Sequence, residues 1–212
     1  RLDIINYLKG KKILILGYGR EGKSALAFLQ TNLPNTTVAV ADQKEIQLND
    51  VQTICGENYL NAIQDFDIVI KSPGIPTRDF TDTNQLNKIT SLTDLFLRFC
   101  KNTIIGVTGT KGKSTTASLT HHILKATGRD TILVGNIGIA CFDAIDQIHE
   151  DTTIVFELSC HQLEFIQASP QVAILLNLYE EHLDHYKNAE ASFTAKKNIY
   201  KYQTADATLI YG

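Results

Sequence analysis

Apolar residues in this chain gather into short runs with little polar interruption: Ile13–Leu16, Thr37–Ala41, Ile68–Ile70, Ile104–Val107, Thr131–Val134, Thr153–Phe156, Val172–Leu176 and Ala207–Tyr211. Runs rich in Ile, Leu and Val without alternation suit strands buried on both faces, as in parallel sheets. The segments between them carry helical spacing. In Ser114–Thr127 the residues Ala117, Ile123 and Leu124 form an apolar stripe that Gly128 ends. Strand and helix in alternation predict an α/β protein with mostly parallel sheets. Two strand-to-helix turns are rich in glycine, near residues 17 and 109, and each looks like the first crossing of its own nucleotide-binding unit. The expected organisation is therefore a Rossmann-like domain over 1–90 and a phosphate-loop ATPase domain over 91–212, divided near Ser91. Because the sequence stops at Gly212 straight after an apolar strand, the second domain is expected to be incomplete and the chain a fragment.

The second glycine turn carries the most chemistry. Thr108-Gly109-Thr110-Lys111-Gly112-Lys113-Ser114-Thr115 follows a strand and opens a helix. Such a loop wraps an anion with backbone N–H groups, and the helix N-terminus, a lysine and a hydroxyl complete the cradle. In this assignment Lys113 reaches the β- and γ-phosphates and Ser114 holds Mg²⁺. The spacing departs from the common G-x-x-x-x-G-K-[ST]: five residues separate Gly106 from Gly112, and two separate Gly109 from Gly112.

The first turn, Gly17-Tyr18-Gly19-Arg20-Glu21-Gly22, follows the strand Ile13–Leu16, and Asp42 stands 20 residues beyond Gly22 at the end of the next strand. Alone this is a dinucleotide fingerprint, with the acid placed for a ribose hydroxyl, but other nucleotides or a plain tight turn fit it too. Ser72-Pro73-Gly74-Ile75-Pro76 turns the chain at another strand's carboxyl end, the edge on which open α/β sheets bind ligands. Glu157 ends the strand Thr153–Phe156, where a carboxylate can bind Mg²⁺ bridging nucleotide phosphates or merely cap the strand. The segment Glu180-Glu181-His182-Leu183-Asp184-His185 is dense in metal-ligating groups. A zinc site on His182 and His185, a role beside Mg²⁺ and a solvated acidic turn are all open readings.

Bulk properties narrow the classes. With 212 residues and 43% hydrophobic content the chain can build real cores, which excludes disorder. A net charge of −3 with both signs interspersed argues against a nucleic-acid surface and leaves small anions as partners. Cys55, Cys100, Cys141 and Cys160 show no C-x-x-C spacing, which fits reduced thiols. With no apolar run of membrane-spanning length and no signal peptide, the expected location is cytoplasmic, without membrane insertion.

Taken together and in order, several motifs resemble those of the Mur ligases, ATP-dependent amide-bond-forming enzymes of peptidoglycan synthesis. They are Gly17–Gly22, Ser72-Pro73-Gly74, Thr108–Thr115, Gly135-Asn136-Ile137-Gly138, Glu157-Leu158-Ser159, Gln162-Leu163-Glu164, Glu181-His182-Leu183-Asp184, and Ala195-Lys196 before Ile199-Tyr200. The nearest likeness is to the branch that adds D-glutamate to UDP-N-acetylmuramoyl-L-alanine. The resemblance implies that Gly17, Tyr18, Gly19, Arg20, Gly22, Asp42, Ser72 and Gly74 hold the UDP part of that substrate, with Asp42 near uracil. It implies that Asn136 and His182 face the substrate near the transferred phosphate. Gly109, Thr110, Lys111, Gly112, Lys113, Ser114 and Thr115 would bind ATP, Ser114 and Glu157 the first Mg²⁺, and His182 with a carbamylated Lys196 the second. Lys113, Asn136, His182 and Lys196 would be the catalytic set. Lys111 stands where the family commonly has Asn, Cys160-His161 where it has Ser-Phe, and the interval from His182 to Lys196 is one residue short. The family's C-terminal domain, which binds the incoming amino acid, would be absent, so this chain alone is not expected to complete the reaction. An NAD-dependent oxidoreductase domain fused to an ATPase-like region, another Mur ligase and a noncatalytic nucleotide-binding module are the competing readings.

Overall fold

A computed structural model of the chain describes residues 2–76, 80, 83–179 and 189–212. The first unit contains α1 (Leu2–Leu8), β1 (Ile13–Leu16), α2 (Arg20–Asn32), β2 (Val38–Asp42), β3 (Gln52–Cys55), β4 (Ile68–Lys71), α3 (Thr83–Leu86) and β5 (Ile89–Thr90). Helix α4 (Leu92–Phe99) leads out of it, capped by Ser91, whose hydroxyl accepts from the Asp94 N–H. The second unit contains β6 (Ile104–Thr108), α5 (Lys113–Ala126), β7 (Thr131–Gly135), β8 (Thr153–Glu157), α6 (Cys160–Leu163), β9 (Val172–Leu175), α7 (Ala189–Lys201) and β10 (Thr208–Tyr211).

The strands form two five-stranded parallel sheets, in the orders β3-β2-β1-β4-β5 and β10-β9-β6-β8-β7. All the runs read from the sequence are strands. Ile13 to Leu16 are each fully buried, as a strand covered on both faces requires. In each sheet the strand that comes first in the chain, β1 or β6, lies between two strands that come later. Its carboxyl end is thus a topological switch point, where neighbouring loops diverge and leave a crevice.

The joint between the units is apolar with a polar seam. A single core cluster runs through both sheets. Across it, the Phe96 ring of α4 meets Phe156 of β8 edge-on at 5.7 Å, and Phe28 of α2 meets Phe142 at 4.7 Å. Asp94, fully buried, accepts from Thr90 Oγ1 and from the Gln167 N–H, tying α4 to the second unit. The seam runs along one face of α2. Arg20 donates to the Gly135 carbonyl at 2.6 Å, Glu21 Oε1 accepts from Gln162 Nε2 at 2.8 Å, and Ser24 donates to Asp143 at 2.5 Å. Nearby, Lys71 is buried against Glu164 at 3.5 Å.

Glu21 is the costly member of this seam. Burial raises its carboxyl above the ordinary 4.5, outweighing the hydrogen bond from Gln162 and the attraction of Arg20 and Lys71. The folded protein therefore holds this proton more tightly than the unfolded chain does. Its contribution to stability is full below pH 4.5 and is lost as pH rises through the raised folded value. Glu21→Gln keeps an oxygen for Gln162 and removes the charge. Thermal melts should show this variant level with wild type near about pH 4 and more stable near about pH 8, a window set by that upward shift; a constant offset across the range would contradict the assignment.

Candidate active site

The first crevice is built by three strand ends. The turn leaving β1 is pinned on both sides: the Gly17 N–H donates to the Ala41 carbonyl, and Ser72 Oγ donates to the Gly17 carbonyl at 2.8 Å. Gly22 has no alternative at its position, because a Cβ there would lie 2.1 Å from the Gly17 carbonyl oxygen. Asp42, at the end of β2, accepts from the Tyr18 N–H at 2.8 Å and the Lys44 N–H at 2.9 Å. The acid thus braces the glycine turn with Oδ2 and its own loop with Oδ1, each oxygen keeping one lone pair for a ligand.

A cavity of about 350 Å³ opens here, lined by Gly17, Gly19, Arg20, Glu21, Asp42, Ser72, Pro73, Gly74, Ile75, Asn136, Ser159 and Gln162. It unites Gly17, Gly19, Arg20, Asp42, Ser72 and Gly74 with Asn136 of the second unit, while the candidates Tyr18 and Gly22 are not in its lining. Five of its residues, Glu21, Pro73, Ile75, Ser159 and Gln162, were not among the site residues read from the sequence. Ser159 and Gln162 form a capping box at the start of α6. Gln162 Oε1 accepts from the Ser159 N–H at 3.0 Å and Oγ at 3.1 Å, while its Nε2 is held by Glu21. The S-x-x-Q spacing was the legible signal; that its side chains face a cavity was not.

The phosphate loop leaves β6 at the second switch point. Gly112 sits at φ +85° as the N-cap of α5, a left-handed conformation that an L side chain resists. Ser114 and Thr115 are exposed at the helix start, where first-turn N–H groups have no partner within the helix. Lys113 Nζ donates to the carbonyls of Gly109 at 2.8 Å and Thr110 at 2.9 Å, which uses two of the ammonium's three N–H donors. The loop is also held from the side by Asn177, whose Oδ1 accepts from the N–H groups of Thr110 and Lys111. Lys196 of α7 is buried, with Nζ 3.0 Å from Thr110 Oγ1.

Glu157 links the two regions. It is fully buried and in register with Val107 of β6 and Gly135 of β7. Its Oε1 accepts from Asn136 Nδ2 at 3.0 Å, and its Oε2 is buried with no hydrogen-bond partner among the described residues. An orphaned buried carboxylate oxygen suits a hard cation. Glu157 and the Ser114 hydroxyl both offer hard oxygen donors of the kind Mg²⁺ takes. Among the described residues no three His, Cys, Asp or Glu side chains gather as a metal cluster. His182, with Glu180, Glu181, Asp184 and His185, lies outside the described residues. The four cysteines are free.

Comparison with known proteins places this geometry. Residues 107–212 match the family model described as the Mur ligase middle domain. A curated relative from Clostridium kluyveri, named UDP-N-acetylmuramoylalanine--D-glutamate ligase, is 36% identical over 98% of this chain and 48% of its own length. Relatives of the same name are 34% identical in Clostridium acetobutylicum, over 98% of this chain and 48% of theirs, and 33% identical in Clostridium botulinum, over 97% and 47%. The chain thus spans about half the length of the curated relatives it matches. Among solved structures, UDP-N-acetylmuramate:L-alanyl-gamma-D-glutamyl-meso-diaminopimelate ligase from Neisseria meningitides aligns with a TM-score of 0.56 at 17% identity, over 95% of this chain and 71% of that one, a likeness of fold. With its glycine turns, its phosphate loop and this match over the second unit, the chain belongs to the Mur ligase family.

Proposed function

We propose that this chain is part of an ATP-dependent ligase that adds D-glutamate to UDP-N-acetylmuramoyl-L-alanine in peptidoglycan synthesis. The carrying observation is the cavity shared by the first glycine turn and Asn136, whose amide in turn holds Glu157 beside the phosphate-loop strand. The names of the relatives support the acceptor and donor. In this reading residues 1–90 form the domain for the UDP-substrate and 91–212 the front of the ATP-binding domain. A further domain, outside this chain, binds D-glutamate. No helix among the described residues is long and apolar enough to cross a membrane, which accords with a cytoplasmic enzyme.

The first turn, with Arg20, Asp42, Ser72 and Gly74, holds the UDP portion and directs the rest of the substrate toward Asn136 and His182. The substrate carboxylate attacks the γ-phosphorus of ATP and the bond to ADP breaks, giving an acyl phosphate. The D-glutamate amine then attacks the acyl carbon, losing a proton, and phosphate departs with one former carboxylate oxygen. Two anions must meet for the first step. N–H groups at the start of α5 and the Lys113 ammonium hold the triphosphate and spread its charge. Mg²⁺, when bound, supplies further neutralisation; Ser114 and Glu157 would hold one ion, and His182 with a carbamylated Lys196 a second.

Incubating the full-length protein with ATP, the UDP-substrate and D-glutamate should release phosphate only when all three are present. Release that ignores D-glutamate, or binding of NADH in place of the UDP-substrate, would overturn the reading. Lys113→Ala should cut this release by about 10²–10³-fold while leaving UDP-substrate affinity intact, because the two ligands occupy different sheets; equal loss of both would contradict the division of labour. An ammonium at Lys196 would compete with a cation, whereas a carbamate offers it two anionic oxygens. Carbon-13 bicarbonate labelling should therefore give a carbamate resonance that Lys196→Ala removes and Lys197→Ala keeps. A resonance surviving Lys196→Ala would rule the modification out.

A further inference from the structure

Only two residues separate Gly109 from Gly112, so the phosphate loop has few groups of its own with which to fix its shape. Besides the Lys113 bonds to the Gly109 and Thr110 carbonyls, restraint comes from β9, the sheet neighbour of β6. Just past β9, the Asn177 side chain takes both polar groups of one loop residue: Oδ1 accepts from the Lys111 N–H at 2.8 Å and Nδ2 donates to the Lys111 carbonyl at 3.0 Å. The same Oδ1, at 3.0 Å, and the Asn177 backbone carbonyl, also at 3.0 Å, share the Thr110 N–H. Two residues on, the Tyr179 N–H donates to Thr110 Oγ1 at 2.9 Å and the Tyr179 carbonyl lies 3.2 Å from the same hydroxyl.

These bonds divide the loop into two halves. The N–H groups of Thr110 and Lys111 are turned toward Asn177, whereas those opening α5 have no partner within the helix and carry its positive end. We propose that Asn177 is a positioning residue for nucleotide binding: it fixes the backbone of Thr110 and Lys111 so that the polyphosphate is taken by Gly112 onward and by Lys113. Its neutral amide is suited to this. A carboxylate could accept from both N–H groups but could not donate to the Lys111 carbonyl, and it would set a negative charge beside the bound phosphates. Asn177 acts through the loop and need not touch the ligand. The inference rests on the phosphate-loop reading of this site.

The test is calorimetric titration of the full-length protein with ATP, ADP and the UDP-substrate. Asn177→Ala, which deletes three side-chain hydrogen bonds, should weaken ATP by about tenfold or more and leave the UDP-substrate unchanged. Asn177→Asp, which keeps both N–H contacts and serves if the alanine variant does not fold, should weaken ATP more than ADP because the added charge is felt per phosphate. ATP affinity within twofold of wild type in both variants would overturn the proposal, as would equal weakening of the UDP-substrate, which marks general damage. Wild-type protein that fails to bind ATP would instead overturn the phosphate-loop reading itself.

Discussion

The hydrogen bond from Asn136 Nδ2 to Glu157 Oε1 is the contact on which the rest of the arrangement depends. A fully buried carboxylate with one partner is unfavourable unless something else compensates its charge. Glu157 is kept there by strand register, between β6 and β7, as the last residue of β8. Asn136, which satisfies one of its oxygens, belongs equally to the cavity under the first glycine turn. The carboxylate that would meet the cation and the amide that would meet the substrate are thus a single hydrogen-bonded pair. Neither can be reoriented without disturbing the other.

Around that pair the two units contribute complementary parts. The first supplies a turn braced by Asp42 and Ser72; the second supplies the phosphate loop, Glu157 and the α6 capping box. The seam on α2 joins them, with Arg20 on the Gly135 carbonyl and Glu21 on Gln162. These contacts lie next to the cavity and so set the distance between its two walls. The aromatic pairs behind them supply apolar area, worth about 0.5–1.5 kcal/mol per pair beyond simple burial. The polar seam supplies alignment at some cost, as the raised Glu21 carboxyl indicates.

The sheets were legible because parallel strands covered on both faces require unbroken apolar runs, and few other segments of the chain look like that. Two strands escaped notice for opposite reasons: β3 is a half-buried edge of mixed polarity, Gln52–Cys55, and β5 is only Ile89–Thr90. In α5 the stripe was misread by one residue. Ala117 and Leu124, seven apart, share the packed face, but Ile123 falls off it and is 52% exposed. The glycine turns and Glu157 announced themselves because strand ends confine chemistry to a few positions. The Ser159–Gln162 capping box is local, but Asn177 and Gln162 also act between segments distant in the chain, Asn177 on Lys111 and Gln162 on Glu21, and no local pattern encodes those contacts.

The central claim is that a substrate carboxylate in the first crevice is activated by a nucleotide on the second. Following oxygen through the reaction tests it most directly. With oxygen-18 in the carboxylate of the UDP-substrate, and the full-length protein supplied with ATP and D-glutamate, the released inorganic phosphate should carry one labelled oxygen. Unlabelled phosphate accompanying product formation would contradict the account.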